Sequence, residues 1–171
     1  MRAKDIFFII MVATIVACNR SVSLSEEELY INNLIAQCQD FDSEALICGM
    51  PGEWERDSYI LYFDEWGEGF EALLLNGKGG ASAGLAAALF TFTAEGTGQI
   101  CNINYSLGAD GVSIRNFDWR YDGGNRELVL SGEYNVKFDV KGYNGEYIIL
   151  DHYVAAYGKN VREIYKRVTK H

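Results

Sequence analysis

Acidic side chains gather around the first predicted hairpin of this 171-residue sequence, at Asp57, Asp64, Glu65, Glu68 and Glu71. Paired carboxylates can act as acid and base in glycoside hydrolysis, and clustered carboxylates can bind calcium. The spacing does not follow a calcium-loop pattern, and charges beside a turn are typical of a solvated face. We therefore expect an exposed hairpin and keep a glycosidase only as a third hypothesis.

Two other groups could carry chemistry. His152 follows Asp151 near a predicted strand end, where a carboxylate could orient a histidine base. No nucleophile is placed beside this pair, so we expect a histidine at the rim of the fold. The segment 77–84 is rich in glycine and contains Lys78, but the order of residues that a phosphate loop requires is missing. We predict no catalytic residues and a protein that is not an enzyme.

The cysteines and the net charge exclude further classes. Cys18, Cys38, Cys48 and Cys101 include no CxxC pair, so no zinc site and no cofactor are expected. The formal net charge is -9, whereas nucleic-acid binding needs a clustered basic face. Nucleic acid is therefore not an expected partner.

The N-terminus has the pattern of an export signal. Arg2 and Lys4 precede a nearly unbroken apolar run over 6–17. This run has the length of a secretory h-region and is shorter than the roughly 20 residues that a membrane-spanning helix needs. The run could belong to an ordinary signal peptide or to an uncleaved membrane anchor.

The run ends in Ile15-Val16-Ala17-Cys18, which resembles the bacterial lipoprotein signal, although Val16 stands where a small residue is usual. The resemblance implies that 1–17 is a cleaved lipoprotein signal peptide and that Cys18 carries lipid. Several acyl chains on one residue would hold the protein firmly on a bilayer. We then expect a tether over 18–24, one domain over 25–171, and a place on the bacterial outer membrane.

One amphipathic helix is predicted over 25–38. Ile31, Leu34, Ile35 and Cys38 follow the spacing of a helix face. The opposite face is acidic, so we expect the apolar stripe to pack on the domain and not on the membrane. Cys38 and Cys48 flank the next connection, and a disulfide between them stays open.

From Trp54 onward the apolar period is two, which predicts strands joined by glycine-rich turns. Eight strands are predicted, at 54–64, 70–75, 88–94, 100–107, 112–121, 127–130, 134–141 and 146–153. Cys101 lies at an apolar position and is expected to be buried. The apolar parity switches within the fifth strand, which predicts a β-bulge near Arg115 and Asn116. The segment 161–168 fits a helix or a ninth strand, with a preference for the strand.

The predicted fold is all-β. One apolar and one polar face on each strand indicate an antiparallel sheet. Eight consecutive strands would leave two exposed edges unless the sheet closes. We therefore predict an eight-stranded up-and-down barrel with the helix outside it, wide enough for side chains or one small ligand.

Gly52-Glu53-Trp54, at the head of the first strand, resembles the lipocalin G-x-W motif, whose tryptophan closes the narrow end of a calyx. The second lipocalin motif has no clear counterpart. Together with the leader and the end Tyr165-Lys166-Arg167-Val168, the chain is similar to lipocalin-like domains of bacterial lipoproteins, particularly those of Bacteroidetes. The resemblance implies a fold and a cellular location more than an activity.

The leading hypothesis is a membrane-anchored barrel that binds a small apolar or amphipathic ligand. The alternative is a non-catalytic interaction or accessory lipoprotein whose filled barrel acts through its loops. Sequence parity cannot separate cavity wall from core filling. The candidate lining residues are Trp54, Phe90, Phe92, Tyr105, Trp119, Tyr134 and Phe138.

Overall fold

A computed structural model describes residues 26–62, 70–75, 87–103, 111–155 and 158–169. The predicted signal peptide, Cys18, the tether and Tyr105 lie outside the described residues. The elements in chain order are α1 (Glu26–Cys38), α2 (Ser43–Gly49), β1 (Gly52–Tyr62), β2 (Phe70–Leu75), β3 (Ala87–Phe92), β4 (Thr97–Ile103), β5 (Val112–Asp122), β6 (Glu127–Gly132), β7 (Val136–Tyr143), β8 (Tyr147–Val154) and β9 (Lys159–Arg167).

The long strand β1 closes the sheet. One of its edges pairs with β9, from Trp54 opposite Arg167 to Leu61 opposite Val161. Its other edge pairs first with β3 and then, from Ser58 onward, with β2. The strands β1 and β3–β9 therefore form a closed ring of eight antiparallel strands, which confirms the predicted eight-stranded barrel. The predicted second strand is not part of the ring, because among the described strands β2 pairs with β1 alone and β9 closes the barrel in its place. The segment 161–168 contributes to β9, so the preference for a strand there is confirmed.

The helix α2 lies across one end of the barrel, which we call the α2 end. Asp42 caps the helix by accepting a hydrogen bond from the amide of Ala45 at 2.9 Å. The hydroxyls of Ser43 and Tyr121 are 3.4 Å apart, which ties the helix to the end of β5. We call the opposite end the far end; there β4 ends at Ile103 and β5 begins at Val112.

The helix α1 covers the outer face of β1, β8 and β9. Its buried side chains Ile31, Leu34 and Cys38 pack with Ile60, Ile149 and Ile164 in a cluster separate from the barrel interior. The prediction that the apolar stripe packs on the domain is therefore confirmed. Among the described helices, neither is long and apolar enough to cross a bilayer.

The predicted bulge in β5 is wrong. Pairing between β4 and β5 runs without a register shift from Thr97–Asp118 to Ile103–Val112. The side chains alternate regularly along the whole strand, and Val112 and Ile114 lie on the outward-facing side. Of their surface, 49% and 59% are exposed. The parity switch therefore marks apolar side chains on the outer wall and not an extra residue.

The predictions for the cysteines also need correction. Cys101 pairs with Leu89 and Ile114 on the outer wall and is only half-buried, because Ile100 takes the inner position. Cys38 and Cys48 are both free thiols, so the possible disulfide is not formed. Cys38 is buried under α1 against Gly142, whereas Cys48 lies exposed on α2.

Candidate functional site

The interior at the α2 end is filled with aromatic rings, as expected from alternating apolar residues on each strand. Phe90 lies at the centre of this group, and its ring centroid is 4.9 Å from that of Tyr165. Its other ring neighbours are Phe92, Phe117, Tyr134 and Phe138, at 5.4 to 6.3 Å. We call these six residues the aromatic floor.

Trp54 and Arg167 complete the closed α2 end. The Trp54 indole is fully buried and donates a hydrogen bond to the Met50 carbonyl at 2.9 Å. The Arg167 guanidinium stacks 4.4 Å from the indole centroid and donates to the carbonyls of Gly49, Pro51 and Gly145. The G-x-W segment therefore belongs to the plug of the barrel.

The predicted lining residues are largely brought together. Trp54, Phe90, Phe92 and Phe138 are buried in the interior core, and Trp119 and Tyr134 pack against that core while partly exposed. Tyr105 lies outside the described residues. Buried rings that pack on each other fill space, so they form the base of a site and not its whole wall.

A charged cluster lies above the aromatic floor, on the side toward the far end. The Glu163 carboxylate is 2.9 Å from His152 Nε2 and 3.6 Å from the Arg56 guanidinium. The Tyr165 hydroxyl donates to the other oxygen of the same carboxylate. The side chains of Arg56, His152 and Glu163 are only 12%, 10% and 7% exposed. We call these four residues the buried charge cluster.

The cluster holds its carboxylate ionised. Burial alone would raise the pKa of Glu163, but the hydrogen bond from His152, the charge of Arg56 and the Tyr165 hydroxyl together lower that pKa below its ordinary value. Burial, followed by the Glu163 charge, raises the pKa of Tyr165 well above its ordinary value. Tyr165 therefore remains a donor, and Glu163 accepts from several partners at once.

Arg115 and Tyr134 lie on the same side of the floor. The Arg115 guanidinium is 4.5 Å from the Tyr134 ring centroid, within cation–π distance. Burial and the Glu163 charge raise the pKa of Tyr134 to about 12. The Tyr134 hydroxyl is therefore neutral at physiological pH and can donate or accept a hydrogen bond.

The pair considered for Asp151 and His152 is not formed, and the His152 side chain, which we expected at the rim, is only 10% exposed. Neighbouring residues on a strand face opposite sides, and Asp151 points outward, where Arg162 binds it with two hydrogen bonds of 2.7 Å. His152 points inward and binds Glu163 instead. The sequence reasoning missed Glu163 and Arg56, and treating 161–168 firmly as a strand would have placed Glu163 between the inward Val161 and Tyr165.

The predicted acidic cluster is described only at Asp57, which accepts hydrogen bonds from Ser58 and Tyr30. The other four carboxylates lie outside the residues whose side chains are described. Within the described part of the chain, no three His, Cys, Asp or Glu side chains converge on a possible metal position.

A concave feature lies on the outer wall. This groove of about 440 Å³ runs across β3–β6. Its polar side chains bind each other: Gln99 donates to the Asn116 side chain at 2.8 Å, and the Asn116 side chain donates to Glu133. The groove therefore has fewer free polar groups than its lining suggests.

The closed antiparallel barrel, with a helix outside and a tryptophan plug at one end, is the lipocalin-like architecture that Gly52-Glu53-Trp54 indicated. No protein-family model and no curated protein sequence matches the chain. One solved structure that is similar to it is described as a biogenic amine-binding protein, selenomethionine derivative. That similarity has 15% identity, covers 77% of this chain and 69% of the other, and has a TM-score of 0.44.

Proposed function

We propose that this protein is a lipid-anchored binding protein that takes a small amphipathic ligand into the barrel, between the aromatic floor and the far end. The ligand would contact aromatic rings below and polar side chains above. Sites for small molecules usually combine an apolar wall with a few placed polar groups. We further propose that binding is not followed by catalysis, since Glu163 is already engaged by His152, Tyr165 and Arg56.

The observation that carries the proposal is the buried charge cluster. Bringing charged groups out of water costs several kcal/mol for each ion, and apolar residues of similar size often stabilise a protein equally well or better. A barrel whose only task is to fold would be served by leucine or phenylalanine at these positions. Charged groups inside a barrel are useful when they recognise a polar part of a ligand.

A second candidate function has one observation in its favour. Val112 and Ile114 are exposed on the outer wall, beside Leu89, Cys101 and Ile103, which are partly exposed. Adjacent apolar side chains on a surface can mark contact with another protein. In this alternative the chain is an accessory lipoprotein that works through its outer wall.

The anchor is proposed from the leader sequence. We propose that Cys18 is lipidated and that the protein resides on the outer membrane of a bacterium, as in the lipoproteins that the sequence resembles. A Cys18→Ala variant should then carry no acyl mass, and its leader should no longer be processed at that position. Intact mass measurement of the membrane-extracted chain tests this, because lipidation adds a defined acyl mass. A chain of unmodified mass at Cys18 would contradict the anchor.

Native mass spectrometry of the full chain, purified from its own cells, tests ligand binding. We expect an additional mass of a few hundred daltons that disappears on denaturation. The bare chain alone, also after incubation with a lipid and metabolite extract, would contradict binding and favour the accessory role. In that case Val112→Ser with Ile114→Ser should abolish capture of a partner protein while leaving the barrel folded.

A further inference from the structure

Among the residues that the structure describes, the inner face of the barrel carries more positive than negative charge. Among the acidic residues that the described strand pairs match with a neighbour, only Glu163 lies on this face, and the others alternate outward. It accepts from His152 and Tyr165 and forms an ion pair with Arg56. A cationic ligand group would have to compete with all three partners for this carboxylate.

Arg115 is an inner-face cation of the described strands that neither joins the buried charge cluster nor closes the α2 end, as Arg167 does. It pairs with Ile100, which pairs with Phe90, so it lies on the inner face two residues before the buried Phe117. Within the described residues its guanidinium stacks on Tyr134 and forms no ion pair. Stacking on the ring leaves the N–H groups at the edge of the guanidinium available to an anion.

Two small polar residues stand beside Arg115, one step nearer the far end. Asn102 and Ser113 face each other across β4 and β5 and share the inner face with Arg115. In the described part of the chain neither side chain makes a hydrogen bond, and both are at least partly exposed. The guanidinium, an amide and a hydroxyl thus lie at successive positions on the inner face near the far end, and each of them can donate a hydrogen bond.

We infer that the ligand carries an oxyanion, a carboxylate or a phosphate, that Arg115 binds with help from Asn102 and Ser113. The planar guanidinium fits the two oxygens of such a group. The apolar part of the ligand then extends past Tyr134 toward the aromatic floor. This inference rests on the proposed ligand-binding function and adds the charge and chemical class of the head group.

Four probes of equal chain length test the inference: octanoate, octyl phosphate, 1-octanol and octylamine. Binding to the full chain is measured by isothermal titration calorimetry at low salt, against a blank of the carrier detergent. We expect at least one oxyanion to bind about ten- to a hundredfold more tightly than octanol, because a charge-assisted hydrogen bond contributes that much. Octylamine should bind most weakly. Comparing the two oxyanions separates carboxylate from phosphate recognition.

The variants Arg115→Gln and Arg120→Gln form a matched pair. Arg120 lies on the same strand but is exposed on the outer wall, so its loss removes an equal charge outside the barrel. We expect Arg115→Gln to reduce oxyanion binding to the level of octanol and to leave octanol binding unchanged. Arg120→Gln should leave all four affinities unchanged, and Arg115→Lys should retain part of the preference. Circular dichroism and thermal unfolding verify that each variant is folded.

Two results would overturn the inference. If octanol or octylamine binds as tightly as the oxyanions, the protein binds ligands but the head group is not an anion. If an oxyanion binds and Arg115→Gln weakens it no more than Arg120→Gln, the anion is bound elsewhere. Absence of binding by all four probes, together with bare mass in native mass spectrometry, rejects both the inference and the proposed function.

Discussion

Replacing Glu163 by glutamine should separate the stability of the barrel from the charge that it encloses. Glu163 is the anion shared by Arg56 and His152 inside the barrel. Glutamine has nearly the same shape and still accepts the hydrogen bond from Tyr165. The change therefore removes the negative charge and keeps most of the packing.

The expected loss of stability follows from what the substitution leaves behind. Removing one partner of a buried ion pair costs about 3–5 kcal/mol, because the remaining charge stays buried and loses part of its compensation. Because glutamine keeps some hydrogen bonds, we expect the lower end, about 3 kcal/mol at pH 7. For a chain of this size that corresponds to a decrease of about 6–12 °C in Tm.

The loss should depend on pH in a definite direction. The pKa of Glu163 in the folded protein lies below its ordinary value of 4.5, so folding favours the ionised carboxylate. Its contribution to stability is complete above pH 4.5 and disappears as the pH falls through the folded-state pKa. The difference between the wild type and Glu163→Gln should therefore be largest at neutral pH and shrink below pH 4.5.

Urea unfolding between pH 7 and pH 3 measures this difference. Glu127→Gln is the control, because Glu127 pairs with the exposed Lys137 at 2.6 Å and an exposed pair contributes about 1 kcal/mol or less. Equal stability of wild type and Glu163→Gln at pH 7 would refute the view that the cluster is held by this carboxylate. A difference that persists unchanged at pH 3 would refute the argument from its pKa.

Three further results are expected. Arg167→Gln should cost about 3 kcal/mol in urea unfolding, since it removes hydrogen bonds to three backbone carbonyls and the cation stacked on the buried indole. Lys166→Gln on the exposed face should cost less than about 1 kcal/mol, and equal losses would contradict the role of Arg167 in closing the α2 end. Gly52→Ala should cost about 2 kcal/mol, because its φ is +138° and an added Cβ would lie 2.8 Å from Arg167 Nη1; an unchanged urea midpoint would contradict this strain. At pH 8 iodoacetamide should label the exposed Cys48 well before Cys38, since burial raises the pKa of the Cys38 thiol to about 11. Peptide mass spectrometry measures both labelling rates, and equal rates would contradict the packing of α1 on the barrel.

The sequence determined the architecture, because alternation of apolar residues is a local property. The period of two in β7 and the helical spacing from Ile31 to Cys38 each identify an element without knowledge of its partners. The number of strands and the short turns between most of them then made closure the way to avoid exposed edges. The buried aromatic residues followed from the same alternation.

Only the tertiary structure decided which face of each strand is inside and what the buried polar groups meet. In β4 the apolar residues Cys101 and Ile103 lie on the outer wall, and Asn102 faces the interior. His152 binds Glu163 on the neighbouring strand and does not contact the adjacent Asp151 through its side chain. A sequence fixes the alternation along a strand, but closure of the barrel chooses its inner side, and pairing of distant strands brings the charges of the site together.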